Sequence, residues 1–106
     1  HLERLWPAFR QLAQAVAAFH DAERVHCDLK PEHVLVDGAG RVVLIDFGLA
    51  AVLGAEERPS MGTPPFMAPE QFEGGRLTEA VDWYAFGCLL YVALTGRLPF
   101  DGRGSA

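Results

Sequence analysis

The stretch from Val25 to Gly48, VHCDLKPEHVLVDGAGRVVLIDFG, decides how the chain is read. Two β-branched runs, Val34 to Val36 and Arg41 to Ile45, flank Asp37, Gly38, Ala39 and Gly40, and predict a hairpin closed by a four-residue turn. A hairpin brings its two ends together. Asp28 lies just before the first strand and Asp46 just after the second, so both carboxylates are expected to face one cleft. Lys30, two residues beyond Asp28, is the only lysine among nine basic side chains. Where composition otherwise favours arginine, a lone ammonium beside a carboxylate marks a position that needs a compact charge, such as one touching a phosphate.

Upstream, residues 3–20 carry Leu5, Phe9, Leu12, Val16 and Phe19 at alternating spacings of four and three, the pattern of an amphipathic helix with Pro7 near its start. His20, near its end, reads as a cap or packing residue. Downstream, residues 79–95 follow Thr78, an N-cap type, and precede Gly96, a C-cap type. That helix is apolar on nearly every face and is expected to be surrounded. Asp82 is its exception, and a buried carboxylate needs hydrogen-bond donors. Between the hairpin and this helix, residues 49–66 mix Gly, Pro, Ala and Glu without periodicity, as a functional or a disordered loop does. The expected fold class is α+β, mainly helical, with a small β-hairpin between two long helices.

Composition removes several function classes. Half of the 106 residues are apolar, enough for one small core. The net charge of -5 and the absence of clustered basic residues argue against a nucleic-acid surface. Cys27 and Cys88 show no disulfide-framework spacing and read as free thiols in a reducing compartment. The longest apolar run, Trp83 to Leu94, falls short of the roughly 20 residues a membrane-spanning helix needs. The chain opens mid-element without a signal peptide and reads as a piece of something longer.

Three groups of residues now stand in order: His26-Cys27-Asp28-Leu29-Lys30-Pro31-Glu32-His33, then Asp46-Phe47-Gly48, then Ala68-Pro69-Glu70. Together they resemble the catalytic loop, the metal-binding triplet and the end of the activation segment of protein kinases. Lys30 and the run GTPPFMAPE, Gly62 to Glu70, are similar to the serine/threonine branch. The resemblance implies that Asp28 is the base that accepts the substrate hydroxyl proton and that Lys30 neutralises charge on the transferred phosphoryl. It implies that Asp46 holds the magnesium ion of ATP, beside Phe47, which stacks with His26, and Gly48, which frees the backbone. Leu35 matches the apolar floor beneath the adenine, with simple core burial as the other reading. Ser60 and Thr63 are the activation-segment hydroxyls, Thr63 structural and Ser60 the better phosphorylation site. Glu70 pairs in the family with a distant Arg, and Asp82 holds the backbone of His26 to Asp28.

Two positions depart from the family pattern. Cys27 replaces the Arg that pairs with a phosphorylated activation segment, so any activity is expected not to depend on phosphorylation of Ser60. His33 replaces the Asn that holds a second magnesium, and a nitrogen ligand suits that ion poorly. The Gly-rich loop, the strand Lys and its helix Glu partner do not occur in the sequence. Residues 1–106 are therefore expected to be the central part of a kinase large lobe, inactive alone. The intact protein would phosphorylate protein substrates with ATP and magnesium, in the cytoplasm or as the cytoplasmic part of a membrane-anchored protein. The alternative is a pseudokinase that regulates or scaffolds.

Overall fold

The computed structural model describes residues 2–45, 51–55, 62–74, 76–97 and 99. Their order is helix α1 (Leu2–Asp21), strand β1 (Arg24–Val25), a 3-10 turn at Pro31–His33, strands β2 (Val34–Val36), β3 (Val42–Leu44) and β4 (Ala51–Val52), 3-10 turns at Pro64–Phe66 and Pro69–Phe72, and helix α2 (Ala80–Thr95). The described part is mainly helical, with two small antiparallel sheets, and the hairpin falls between the helices as expected.

Helix α1 buries the stripe its spacing predicts: Leu12 and Val16 are inside, Phe9 and Phe19 are half-buried, and Glu3, Arg4, Arg10 and Gln14 face solvent. It stops at a chain reversal in which Glu23 adopts a φ of 60° and donates its N–H to the His20 carbonyl. Leu12 and Val16 meet Leu29 of the following loop and Ala85 and Leu89 of α2 in the first core cluster. At its edge the rings of Phe9 and Phe86 cross edge-to-face at 5.5 Å, a favoured aromatic geometry. A second cluster joins Val25, Cys27, Leu77 and Val81.

The hairpin pairs Val34 with Leu44, Leu35 with Val43 and Val36 with Val42. Its turn differs from the four residues expected. The Asp37 N–H reaches the Arg41 carbonyl and the Gly40 N–H reaches the Asp37 carbonyl, so the loop proper is Gly38 to Gly40, with Gly40 at φ 82°. A turn followed by one left-handed residue suits the twist of paired strands, and it draws Arg41 out of the strand. Asp37 sets this turn: Oδ1 accepts the N–H groups of Ala39 and Arg41. Gln11 of α1 brackets the same end, donating to the Gly40 carbonyl and accepting the Val42 N–H.

Residues 49–66 are not wholly irregular. Strand β4 pairs antiparallel with β1, Arg24 against Val52 and Val25 against Ala51. The pairing continues as the Gly54 N–H donates to the Leu77 carbonyl and the Leu77 N–H to the Ala55 carbonyl. No β-branched run announces this strand; its neighbours hold it. Helix α2 also departs from expectation at its start, where Glu79 rather than Thr78 flanks the first turn and no side chain caps it. Gly96 ends it at φ 79°, as expected. The described residues cover one part of the helix and leave another part exposed. Val81, Asp82, Ala85, Cys88 and Leu89 are buried, whereas Trp83, Tyr91 and Leu94 are exposed.

Leu12 is 2% exposed and Trp6 52%. Leu12→Ala is expected to cost about 2–5 kcal/mol by cavity formation, and Trp6→Ala less than about 1 kcal/mol, both read from urea unfolding. Equal losses would contradict the packing. The amide of Arg41, ahead of the other turn donors, holds the Asp37 carboxyl below the usual carboxylate range. Because the folded value is the lower one, its stabilisation is present at neutral pH and disappears as pH falls through that value. An NMR titration should place Asp37 below a free aspartate.

Candidate active site

From Val25 to Leu29 five consecutive side chains are buried, directly after four exposed ones. A polar sequence turns inward here because its polar groups are met from below. Asp82 of α2, 1% exposed, accepts the His26 N–H on Oδ2 at 2.8 Å and the Cys27 N–H on Oδ1 at 3.0 Å. His26 is locked through both ring nitrogens. Nδ1 accepts the Asp28 N–H at 3.1 Å, so Nε2 carries the proton and donates to the Ile45 carbonyl at 2.7 Å. The ring rests against Phe19 and His33. Cys27 takes a φ of 73°, and its thiol lies in the second apolar cluster, 3.4 Å from the Val25 carbonyl.

With its base fixed, the loop presents Asp28. The carboxylate is 8% exposed. Its Oδ1 accepts the Thr63 hydroxyl at 2.7 Å; its Oδ2 lies 3.7 Å from Lys30 Nζ and 3.9 Å from His33 Nδ1. Lys30 Nζ donates to Thr63 Oγ1 at 3.0 Å, so the hydroxyl receives from the ammonium and gives to the carboxylate. The His33 ring is held by an Nδ1–H bond of 2.7 Å to the Asp28 carbonyl. Such a group can accept a proton and, through Lys30, meet developing negative charge.

Thr63 reaches this loop because Gly62 precedes it. A Cβ at Gly62 would lie 3.0 Å from the Cys27 carbonyl and 3.0 Å from Met67 Cγ, and its φ is 89°. Only glycine accommodates both the contact and the backbone. Gln71, 2% exposed, braces the next turn by accepting the Ala68 N–H.

The structure thus brings Asp28, Lys30, His33 and Thr63 together, with His26 and Asp82 beneath them. Leu35 stands apart, 51% exposed beside Val43 at 52%, so core burial is not its role in this chain. Glu70 is exposed on the turn after the segment. Asp46, Phe47, Gly48 and Ser60 lie outside the described residues. Ile45, the last residue before Asp46, is tied to the loop: its N–H donates to the His33 carbonyl at 2.7 Å. Among the described residues no three His, Cys, Asp or Glu side chains are grouped to hold a metal ion.

Of the two readings of His20, cap or packing residue, the structure supports packing: it is buried and its ring meets Trp83. What sequence reasoning missed is its bond to Asp82, with Nε2 2.9 Å from Oδ2. The signal was its place four residues after Val16, on the inward stripe of α1. Gly62 and Gln11 were missed as well, the first because a close approach leaves no trace in local pattern.

The family model for the protein kinase domain matches residues 3–106. The serine/threonine-protein kinase pkn2 of Myxococcus xanthus is 40% identical over 109 residues, 93% of this chain and 13% of that protein. PrkC of Bacillus subtilis is 37% identical over 99 residues, 90% of this chain and 15% of that protein. The serine/threonine-protein kinase AtPK1/AtPK6 of Arabidopsis thaliana is 42% identical over 103 residues, 95% of this chain and 22% of that protein. The chain therefore spans less than a quarter of the length of these relatives.

Thr63→Val keeps the volume and removes the hydroxyl, leaving a buried carboxylate oxygen of Asp28 without its donor. A loss of about 1–3 kcal/mol is expected, whereas Thr63→Ser should stay close to the parent. Chemical denaturation of the two variants checks it; equal stability of Val and Thr would show that the bridge holds nothing.

Proposed function

The chain belongs to the protein kinase family, and from that membership we propose that the intact protein transfers the terminal phosphoryl of ATP to serine or threonine hydroxyls of protein substrates. Residues 1–106 would supply the central part of the large lobe and transfer nothing alone. One observation carries this reading: a nearly buried carboxylate, Asp28, is aimed by Thr63 while an ammonium, Lys30, stands 3.7 Å away. The attacking hydroxyl gives its proton to Asp28, which also aims the oxygen. Lys30 then offsets charge on the phosphoryl as it passes. Leu35, exposed on the hairpin, would lie under the adenine.

The magnesium ion that accompanies ATP would screen the phosphates and hold them in place. Asp46 supplies the carboxylate this reading needs. His33 fits less well, since an imidazole that donates through Nδ1 offers only a nitrogen lone pair to an oxygen-seeking ion. No catalytic step assigned here passes through His33. A purely regulatory, non-catalytic role draws mainly on His33; Asp28, Lys30 and Thr63 within bonding reach favour the enzyme. Cys27 and Cys88, both buried and not joined in a disulfide, fit a reducing compartment, the cytoplasm or the cytoplasmic part of an anchored protein.

Cys27 bears on regulation. Its thiol is packed among Val25, Leu77 and Val81, and by resemblance this is the position of the Arg that pairs with a phosphate in the family. Phosphorylation of Ser60 is therefore not required.

Peptide phosphorylation by the intact protein tests these assignments. Asp28→Asn should lower kcat by about a hundredfold or more, and His33→Asn should raise it, because a carboxamide can still donate to the Asp28 carbonyl while presenting an oxygen to magnesium. Ser60→Ala should leave the rate unchanged. Full activity of Asp28→Asn would end the proposal, and silencing by Ser60→Ala in a folded variant would end its regulatory part.

A further inference from the structure

We propose that His20, on the last turn of α1, is a positioning residue for the loop that carries Asp28 and acts through Asp82. The His20 side chain is 5% exposed, with Nε2 2.9 Å from Asp82 Oδ2. The same oxygen receives the His26 N–H, and its companion receives the Cys27 N–H. A carboxylate only accepts, so the ring nitrogen facing it is the one bearing hydrogen. On its other side the ring faces Glu79 Oε1 at 3.9 Å, and it crosses Trp83 edge-on at 5.6 Å. Three donors thus fix the plane of the Asp82 carboxylate, and His20 is the one not belonging to the loop.

The consequence follows from the strain next door. Cys27 holds a φ of 73° without being glycine, a conformation that costs about 1–3 kcal/mol unless its surroundings impose it. The N–H of Cys27 needs Oδ1 where it stands. Without His20 the carboxylate turns about its Cβ–Cγ bond, the Cys27 amide loosens, and Asp28, the next residue, loses its aim. The kinetic part of this inference rests on the phosphoryl-transfer reading; the coupling of His20 to the two amides does not.

The test uses the intact protein with His20→Leu, which removes the N–H, His20→Gln, which carries a donor to a similar place, and His20→Asn, whose shorter amide cannot reach. Amide hydrogen exchange at His26 and Cys27 should rise about tenfold in His20→Leu and stay near the parent in His20→Gln. If His20→Leu does not fold, His20→Asn gives the same comparison. In phosphorylation assays kcat should fall about ten- to a hundredfold with KM for ATP changed less than about twofold, and Gln should restore it. Unchanged protection of the two amides overturns the coupling. Loosened amides with an unchanged kcat overturn the positioning role. A parent that transfers no phosphoryl would refute the phosphoryl-transfer reading, and with it the kinetic role, while the exchange comparison still decides the coupling.

Discussion

A carboxylate that keeps 1% of its surface in contact with solvent has to find its donors inside the protein. Asp82 finds two backbone N–H groups and an imidazole, and all three lie between the end of α1 and Asp28. One side chain on α2 therefore sets where α1 stops, how the chain reverses after it and how the next loop is shaped. The two core clusters lie to either side of this contact, one under α1 and one under β1 and β4. Removing Asp82 would not merely leave a gap; it would strand two adjacent buried amides, each at the cost of an unsatisfied buried donor.

The loop itself is built against local preference. Glu23 and Cys27 both hold left-handed backbone without being glycine, and the run from Val25 to Leu29 buries polar and apolar side chains alike. Such a segment does not keep its shape by propensity. It is clamped from below by Asp82 and from the side by the His26 ring, whose proton reaches the Ile45 carbonyl. From above come Thr63 and Lys30. Asp28 sits between these layers, and its orientation records the whole set of bonds. Strain is thus concentrated beside a nearly buried, hydrogen-bonded carboxylate, where the surrounding bonds can hold it.

Much of the fold could be read from periodicity. The spacing of Leu12 and Val16 marked the buried stripe of α1, and Gly96 marked the end of α2. The hairpin was legible from its β-branched runs, though its turn was not: Asp37 pairs with Arg41 and leaves three residues between them, a detail decided by the Asp37 side chain. Strand β4 was invisible, because Ala51 and Val52 become a strand only by lying against Arg24 and Val25. At the site, residue types and order pointed to Asp28, Lys30 and Thr63. The distances between them depended on Gly62, whose role is a contact with a residue thirty-five positions earlier. No local pattern carries information of that kind. His20 was legible in principle, as a polar residue on a buried stripe, but its partner lies on another helix, beyond the reach of sequence spacing.

The replacement at Cys27 is consistent with its surroundings in a way that residue identity alone does not reveal. Its side chain points into a cluster formed by Val25, Leu77 and Val81, against which Ala51, Leu53 and Ala55 are packed. A guanidinium there would lose its hydration among aliphatic groups and would need an anion inside the cluster to offset that loss. The thiol needs none. The segment from Ala51 to Ala55 is instead held by backbone bonds, from Leu53 to Glu23 and between Gly54, Ala55 and Leu77, together with apolar contacts. Those forces are present whatever the charge state of nearby hydroxyls. In this chain the position of Cys27 is part of the apolar core.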